Sequence, residues 1–245
     1  MKILAIETAT EACSAALLLD AAGDKIVSRF QLAPREHTRL ILPMMQEVLG
    51  EANLELSEVD AIAFSRGPGA FTGLRIAAGV AQGVAVAIDK PVIPVSTLAA
   101  LALQAYQQYK TEGMIFSALD ARMGEVYWGC FDLQEGTPRL VGEEQLGKPE
   151  QLLQAVFARE KQDQQKNGII ICGSGWDAYH DALFSEGLPE YIHHIKRLYP
   201  GADAIAKLAA SEYLANNTVT AENAQPVYLR DKVAKKSKER AKNIV

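Results

Sequence analysis

A chain of 245 residues, 49% of them hydrophobic, can bury roughly 70–75% of its unfolded surface in one large core or two modest lobes without covalent staples. Three dispersed cysteines, Cys13, Cys130 and Cys172, argue against a disulfide framework and for reduced thiols and a cytoplasmic location, and the apolar run before Glu7 is too short for a secretory signal. No run reaches the roughly 20 residues of a membrane span, so the chain reads as soluble. The formal net charge of −5 divides into a body of −10 and a tail of +5. The tail carries Arg230, Lys232, Lys235, Lys236, Lys238, Arg240 and Lys242 against Asp231 and Glu239. Such a tail is either a solvated end or a contact for RNA phosphates.

In chain order, residues 2–7, 12–20 and 25–33 read as three strands, with a turn at 20–24 between the last two. Residues 38–49 form an amphipathic helix and 59–65 a fourth strand. Gly67, Pro68, Gly69 and Gly73 then build a tight turn in which Thr72 is placed to cap the helix that follows. From Leu74 to Ile88 only Arg75 and Gln82 are polar, so that helix must be covered on more than one side. A strand at 91–95 and a helix at 96–109 capped by Ser96 close this half.

A second copy follows. Residues 115–120, 125–133 and 138–144 repeat the three strands. A helix at 150–161, a strand at 168–172 and helices at 176–185 and 202–215 complete it. The first strand of each copy ends in an acid, Glu7 and Asp120, and Asp20 and Asp132 close the second strands. An α/β chain of two duplicated lobes, each a mixed sheet with packed helices, resembles the ribonuclease-H-like arrangement of the actin, hsp70 and sugar-kinase superfamily. The expected divisions are residues 1–110, 111–229 and the basic tail 230–245.

That superfamily resemblance implies a nucleotide cleft at Glu7, Thr8, Thr10, Asp120 and Arg122. The hairpins at those positions are poorly suited to phosphate: residues 9–12 lack glycine and add Glu11, and residues 121–125 offer one glycine and one arginine. The acids are therefore read as inherited and silent, with a nucleotide-dependent kinase or ATPase using Glu7 and Asp120 as the alternative. Gly173, Ser174 and Gly175 are either an adenosine-contacting turn or the tight exit of a buried strand. His37, His180, His193 and His194 make no metal-binding spacing, and no G-x-S-x-G elbow occurs.

The interface signal is stronger. Leu74, Ala78, Ala81, Ala85 and Ile88 make one stripe of the apolar helix, while Gly79 and Gly83, a turn apart, leave a groove that admits another helix. Leu40, Ile41, Met44, Met45 and Val48 add an apolar face to the earlier helix. Together they are read as a surface that pairs with a related chain, although both helices could instead pack inside the domain. A self-associating regulatory protein is a further reading of the same pattern.

The segment from Gly67 to Gly79, the opening Ile6, Glu7 and Thr8, Asp120 to Arg122 with Glu125 to Tyr127, and Pro226 to Arg230 closely resemble the bacterial TsaB (YeaZ) family over essentially the whole chain. The resemblance implies a non-catalytic subunit in the synthesis of threonylcarbamoyladenosine beside the anticodon of tRNAs reading codons that start with A. It implies pairing with the transferase paralogue TsaD through the first-lobe helices and the ATPase TsaE as a third member, while the apolar face itself, left in water, predicts a homodimer when the chain is alone. ATP and a metal ion are expected in the partners, none in the isolated chain, and tRNA is met indirectly or through the tail. The paralogue's H-x-x-x-H is missing from residues 95–101, so its metal has no ligands here.

Overall fold

A computed structural model describes residues 1–110, 113–160, 168–185 and 187–230. The basic segment after Arg230 and the end of the helix expected at 150–161 lie outside the described residues. Strands β1 (Ile3–Glu7), β2 (Ala12–Leu18), β3 (Ile26–Leu32), β4 (Ala61–Gly67) and β5 (Val92–Ser96) form one sheet in the order β3-β2-β1-β4-β5. The first three are antiparallel, and β4 and β5 run parallel to β1. Between them lie α1 (His37–Glu51) and α2 (Phe71–Ile88), with α3 (Thr97–Tyr109) after β5. The second sheet repeats the pattern. It contains β6 (Met114–Arg122), β7 (Glu125–Gln134), β8 (Thr137–Leu140), β9 (Gln145–Gly147), β10 (Ile169–Cys172) and β11 (Ile192–Ile195), in the order β11-β10-β6-β7-β8 with β9 also on β7. Helices α4 (Pro149–Glu160), α5 (Ser174–Leu183) and α6 (Ala202–Leu214) and two short 3-10 turns, Leu56–Glu58 and Ala221–Asn223, complete the described elements.

The duplicated, two-lobed fold is thus present, with differences in detail. The third strand of the second copy breaks in two because Gly142, at φ +86°, bends the chain between β8 and β9. Strand β11, the counterpart of β5, is only four residues long and carries His193 and His194 at its centre, so its period is obscured. Helix α2 starts three residues earlier than expected, its N-cap is Ala70, and Thr72 lies inside the first turn without capping anything. Ser96 does cap α3, its hydroxyl accepting from the Ala99 N–H at 3.1 Å.

Helices α1 and α2 cover one face of the first sheet, burying Ile41, Met44, Ala77 and Ala81 against Leu4, Ile6, Ile62 and Phe64. Helix α2 has the length and composition to cross a bilayer, contrary to the expectation that no run would qualify, but its inner face belongs to this core. The opposite face of the sheet meets α6 together with part of α3. Chain order assigns α6 to the second lobe, whereas Ala202, Ile205 and Ala209 pack on Ile3, Ala5, Ala16 and Ala63. Alanines along α6 keep that face thin enough to lie close on the sheet. The chain then stays with the first lobe, as Val219 bridges Val92, Ala224 is buried beside α2, and the Val227 N–H donates to the Arg66 carbonyl at 2.7 Å. The second lobe therefore ends before α6 instead of reaching residue 229. Helix α3 is shared: Ala100 and Leu103 face the first sheet, and Leu98, Leu101 and Ala105 face the second, whose far side α4 and α5 cover.

Candidate functional site

Strand β1 delivers Glu7 to the lobe junction, but the carboxyl does not open into it. Glu7 and Thr8 are fully buried, and the Glu7 carboxylate oxygen Oε1 accepts from the Ala9 N–H across the β1–β2 turn. The glycine turn before α2 lies directly on top. Ala70 N–H donates to the Ala9 carbonyl at 2.7 Å, Thr8 Oγ1 donates to the Gly73 carbonyl at 2.7 Å, and a Cβ on Gly69 would stand 2.5 Å from the Ala9 oxygen. A Cβ on Gly73 would collide with the Thr8 carbonyl. These glycines exist for close approach of two backbones, and that approach seals Glu7. Burial pushes its carboxyl up to about 8, against the opposing effect of the Ala9 N–H and the neighbouring Ser65 hydroxyl. A protonated acid under a backbone lid does not suit a metal-nucleotide, so Glu7 and Thr8 drop out of the cleft expected from the superfamily resemblance.

Asp120, Thr10 and Arg122 do reach the space between the lobes, an open cleft of about 920 Å³. Arg122 pairs with Asp120 at 3.2 Å and with Glu11 of the other lobe at 3.3 Å, so the charges expected to meet phosphate neutralise one another. Ser174 Oγ accepts from the Asp120 N–H at 3.1 Å. Gly173 and Gly175 serve as the tight exit of β10, since a Cβ on Gly173 would strike the Ala118 carbonyl and one on Gly175 would stand 2.9 Å from the Ala118 Cβ. At the mouth, the Arg75 guanidinium lies 4.0 Å over the Phe71 ring and donates to the Tyr228 hydroxyl at 3.4 Å. Spacing along the chain had no means of joining Arg75 to Tyr228, which enter from α2 and from the returning C-terminal segment. Arg230 pairs with Glu125 at 2.6 Å on the second lobe, tying that segment across the cleft.

The histidines behave as structural groups. His193 stacks on Tyr109 at 5.2 Å, while His194 faces His180 at 4.9 Å with its Nε2 3.2 Å from Asp177. His37 is buried against the Ala12 carbonyl. Among the described residues no group of three or more His, Cys, Asp or Glu is arranged to hold a metal ion. All three cysteines are free and buried, and burial raises each thiol, to about 11 for Cys13 and Cys130.

The expected partner face requires correction. Leu74, Ala78, Ala81 and Ala85, with Ile41, Met44 and Met45, point inward and build the first-lobe core; Leu40 is half-buried at its margin. An apolar stripe read from the sequence marks the side that the sheet covers. Gly79 and Gly83 lie on the outside, with open space where each Cβ would be. Around them Ile76, Val80 and Val84 are half-buried, Ala87 is exposed, and Val86 (70% exposed) and Leu42 of α1 (50%) face solvent. Both sides of α2 are thus apolar, and only one of them is covered.

Residues 30–238 match the family model described as TsaD, the tRNA N6-adenosine threonylcarbamoyltransferase. The chain is 40% identical over 234 residues to the tRNA threonylcarbamoyladenosine biosynthesis protein TsaB of Escherichia coli (strain K12), covering 96% of each. It is 39% identical over 242 residues to the protein of the same name from Haemophilus influenzae, covering 95% of each. The solved structure of YeaZ from Pseudomonas aeruginosa superposes with a TM-score of 0.79 at 41% identity, over 93% of this chain and 99% of that one. A two-lobed fold, similarity to these proteins over nearly the whole chain and a match to the transferase model together place the sequence: the chain belongs to the TsaB (YeaZ) family.

Proposed function

We propose that this chain serves tRNA threonylcarbamoyladenosine biosynthesis as a non-catalytic subunit that binds the transferase TsaD. The observation that carries the reading is the outer face of α2, an uncharged strip from Ile76 to Ile88, interrupted only by Gln82, in which Gly79 and Gly83 leave backbone open to a neighbour. Two facing helices with glycines one turn apart can approach more closely than helices with larger side chains. The similarity to a TsaD model supports a partner of related fold, because a paralogue presents its own version of the same helices. The same face would pair two copies of the chain when the transferase is absent.

The non-catalytic role is supported by the sealed Glu7 and by the mutually paired Asp120, Arg122 and Glu11. Threonylcarbamoyl transfer to N6 of the adenosine beside the anticodon is then the partner's chemistry, with its metal and with ATP handled by TsaE, in the cytoplasm. Contact with tRNA is made through the assembly, or through the basic segment after Arg230, which lies outside the described residues. Titrating purified TsaD, TsaE, ATP and tRNA with this chain tests the reading: modification should rise and saturate at a fixed stoichiometry. Full modification without the chain, or turnover by the chain alone, overturns it.

A further inference from the structure

Six charged side chains line the interlobe cleft: Arg75, Arg122 and Arg230, and Glu11, Asp120 and Asp177. Five are already engaged. Arg122 is held between Asp120 and Glu11, Arg230 by Glu125, and Asp177 accepts from the Arg197 N–H at 3.0 Å with His194 Nε2 at 3.2 Å. Arg75 makes no carboxylate pair among the described residues. It rests on the Phe71 ring and on the Tyr228 hydroxyl, both weak partners for a guanidinium, and it lines the cleft.

The surroundings of Arg75 are aromatic. Phe71 and Tyr228 are 5.4 Å apart, about half exposed, and converge with Tyr127 and Tyr199 on the same space. Large rings left in solvent beside an uncommitted cation form a stacking wall with one anion receptor. The volume, about 920 Å³, falls in the range of small-molecule sites. A polyphosphate would need several uncommitted cations or a metal held by free carboxylates, and the other lining charges are already engaged.

We propose that the mouth of this cleft binds a planar organic anion of single charge, in the chemical class of an aromatic carboxylate or sulfonate. The ring lies against Phe71 and Tyr228, and the anion takes the open edge of Arg75 in a charge-assisted hydrogen bond. This site lies at the N-terminal end of α2, one turn before Gly79, and it is tested on the chain without TsaD.

The test uses the full chain and 1-anilinonaphthalene-8-sulfonate, a monoanion with a planar naphthalene ring whose fluorescence rises on binding, with uncharged N-phenyl-1-naphthylamine beside it. The sulfonate should bind with one-to-one stoichiometry. Arg75→Gln should weaken it about tenfold while leaving the neutral probe within about twofold, and Phe71→Leu should weaken both. Magnesium-ATP at equal concentration should displace neither. Arg75 is exposed and Phe71 half exposed, so both variants should keep the wild-type far-UV spectrum and melting temperature. Sulfonate binding unaffected by Arg75→Gln or Phe71→Leu in folded protein overturns the proposal, as does displacement by magnesium-ATP.

Discussion

Glu144 of the second lobe plugs into the first: its side chain, 6% exposed, accepts from the Ser96 hydroxyl and lies 3.3 Å from the Arg66 guanidinium. Ser96 at the same time caps α3, the helix both sheets share, and Arg66 stands at the end of β4, immediately before the glycine turn. One carboxylate thus joins the second lobe to both the shared helix and the strand that launches α2. Glu144→Ala should lower unfolding stability by about 2 kcal/mol, below the full cost of breaking a buried pair because Arg66 retains access to water. Glu144→Gln, which keeps a hydrogen bond to Ser96, should lose less. Urea titrations of the two variants check the order, and equal stability of all three proteins would remove the latch role.

Glu7 gives the protein a pH dependence of definite sign. Its folded pKa of about 8 lies above the unfolded value near 4.5, so folded protein holds a proton that unfolded protein has released. The contribution is fully present below about pH 4.5, declines as pH rises through the interval, and is lost above about 8, with a slope of at most about 1.4 kcal/mol per pH unit. Glu7→Gln keeps an acceptor for the Ala9 N–H and cannot ionise, so its stability relative to wild type should climb across that window. Parallel stability profiles from pH 5 to 9 would contradict a buried, protonated Glu7.

The same variant bears on catalysis. With Glu7 sealed, Glu7→Gln should retain most modification activity in the reconstituted system, as should Asp120→Asn if folded. A thousandfold fall in either, of the order seen when a catalytic carboxylate is lost, would return the acids to the mechanism.

Glycines within one helix should answer oppositely to substitution. Gly73→Ala places a Cβ against the Thr8 carbonyl and should cost more than about 3 kcal/mol, even though alanine favours helix. Gly79→Leu and Gly83→Leu meet open space and should leave the monomer as stable or raise it by up to about 1 kcal/mol, measured at concentrations low enough to exclude self-association. Thermal melts of the three proteins decide the first point.

On the outer face the two leucine substitutions should nonetheless weaken association with TsaD at least tenfold, by blocking close helix approach, and Val86→Glu should do the same through a charge. Modification should fail at ordinary subunit concentration and recover at high concentration. Sedimentation of the isolated chain gives the homodimer arm: the variants should shift it toward monomer. Unchanged affinity and unchanged mass would relocate the interface.

Much of this protein is set by local pattern. Alternation and turn residues marked the paired strand meanders, the acid at the end of each first strand marked the duplication, and Ser96 announced α3 because capping is a contact three residues long. Four features depended on the tertiary structure. The apolar stripe from Leu74 to Ala85 looked like a partner surface, since a sequence shows that a helix face must be covered and never by what; the first sheet covers it, leaving Gly79 and Gly83 outside. Chain order put α6 in the second copy, but its small residues carry it to the first sheet. Glu7 had the right identity for a cleft acid, and only the descent of Gly69 and Gly73 onto Ala9 and Thr8 buried it. Arg75 and Tyr228, 153 positions apart, meet because the chain returns to the first lobe after α6. Local pattern reports short-range propensity, whereas exposure, ionisation and convergence depend on which distant surface arrives, and that is decided by packing.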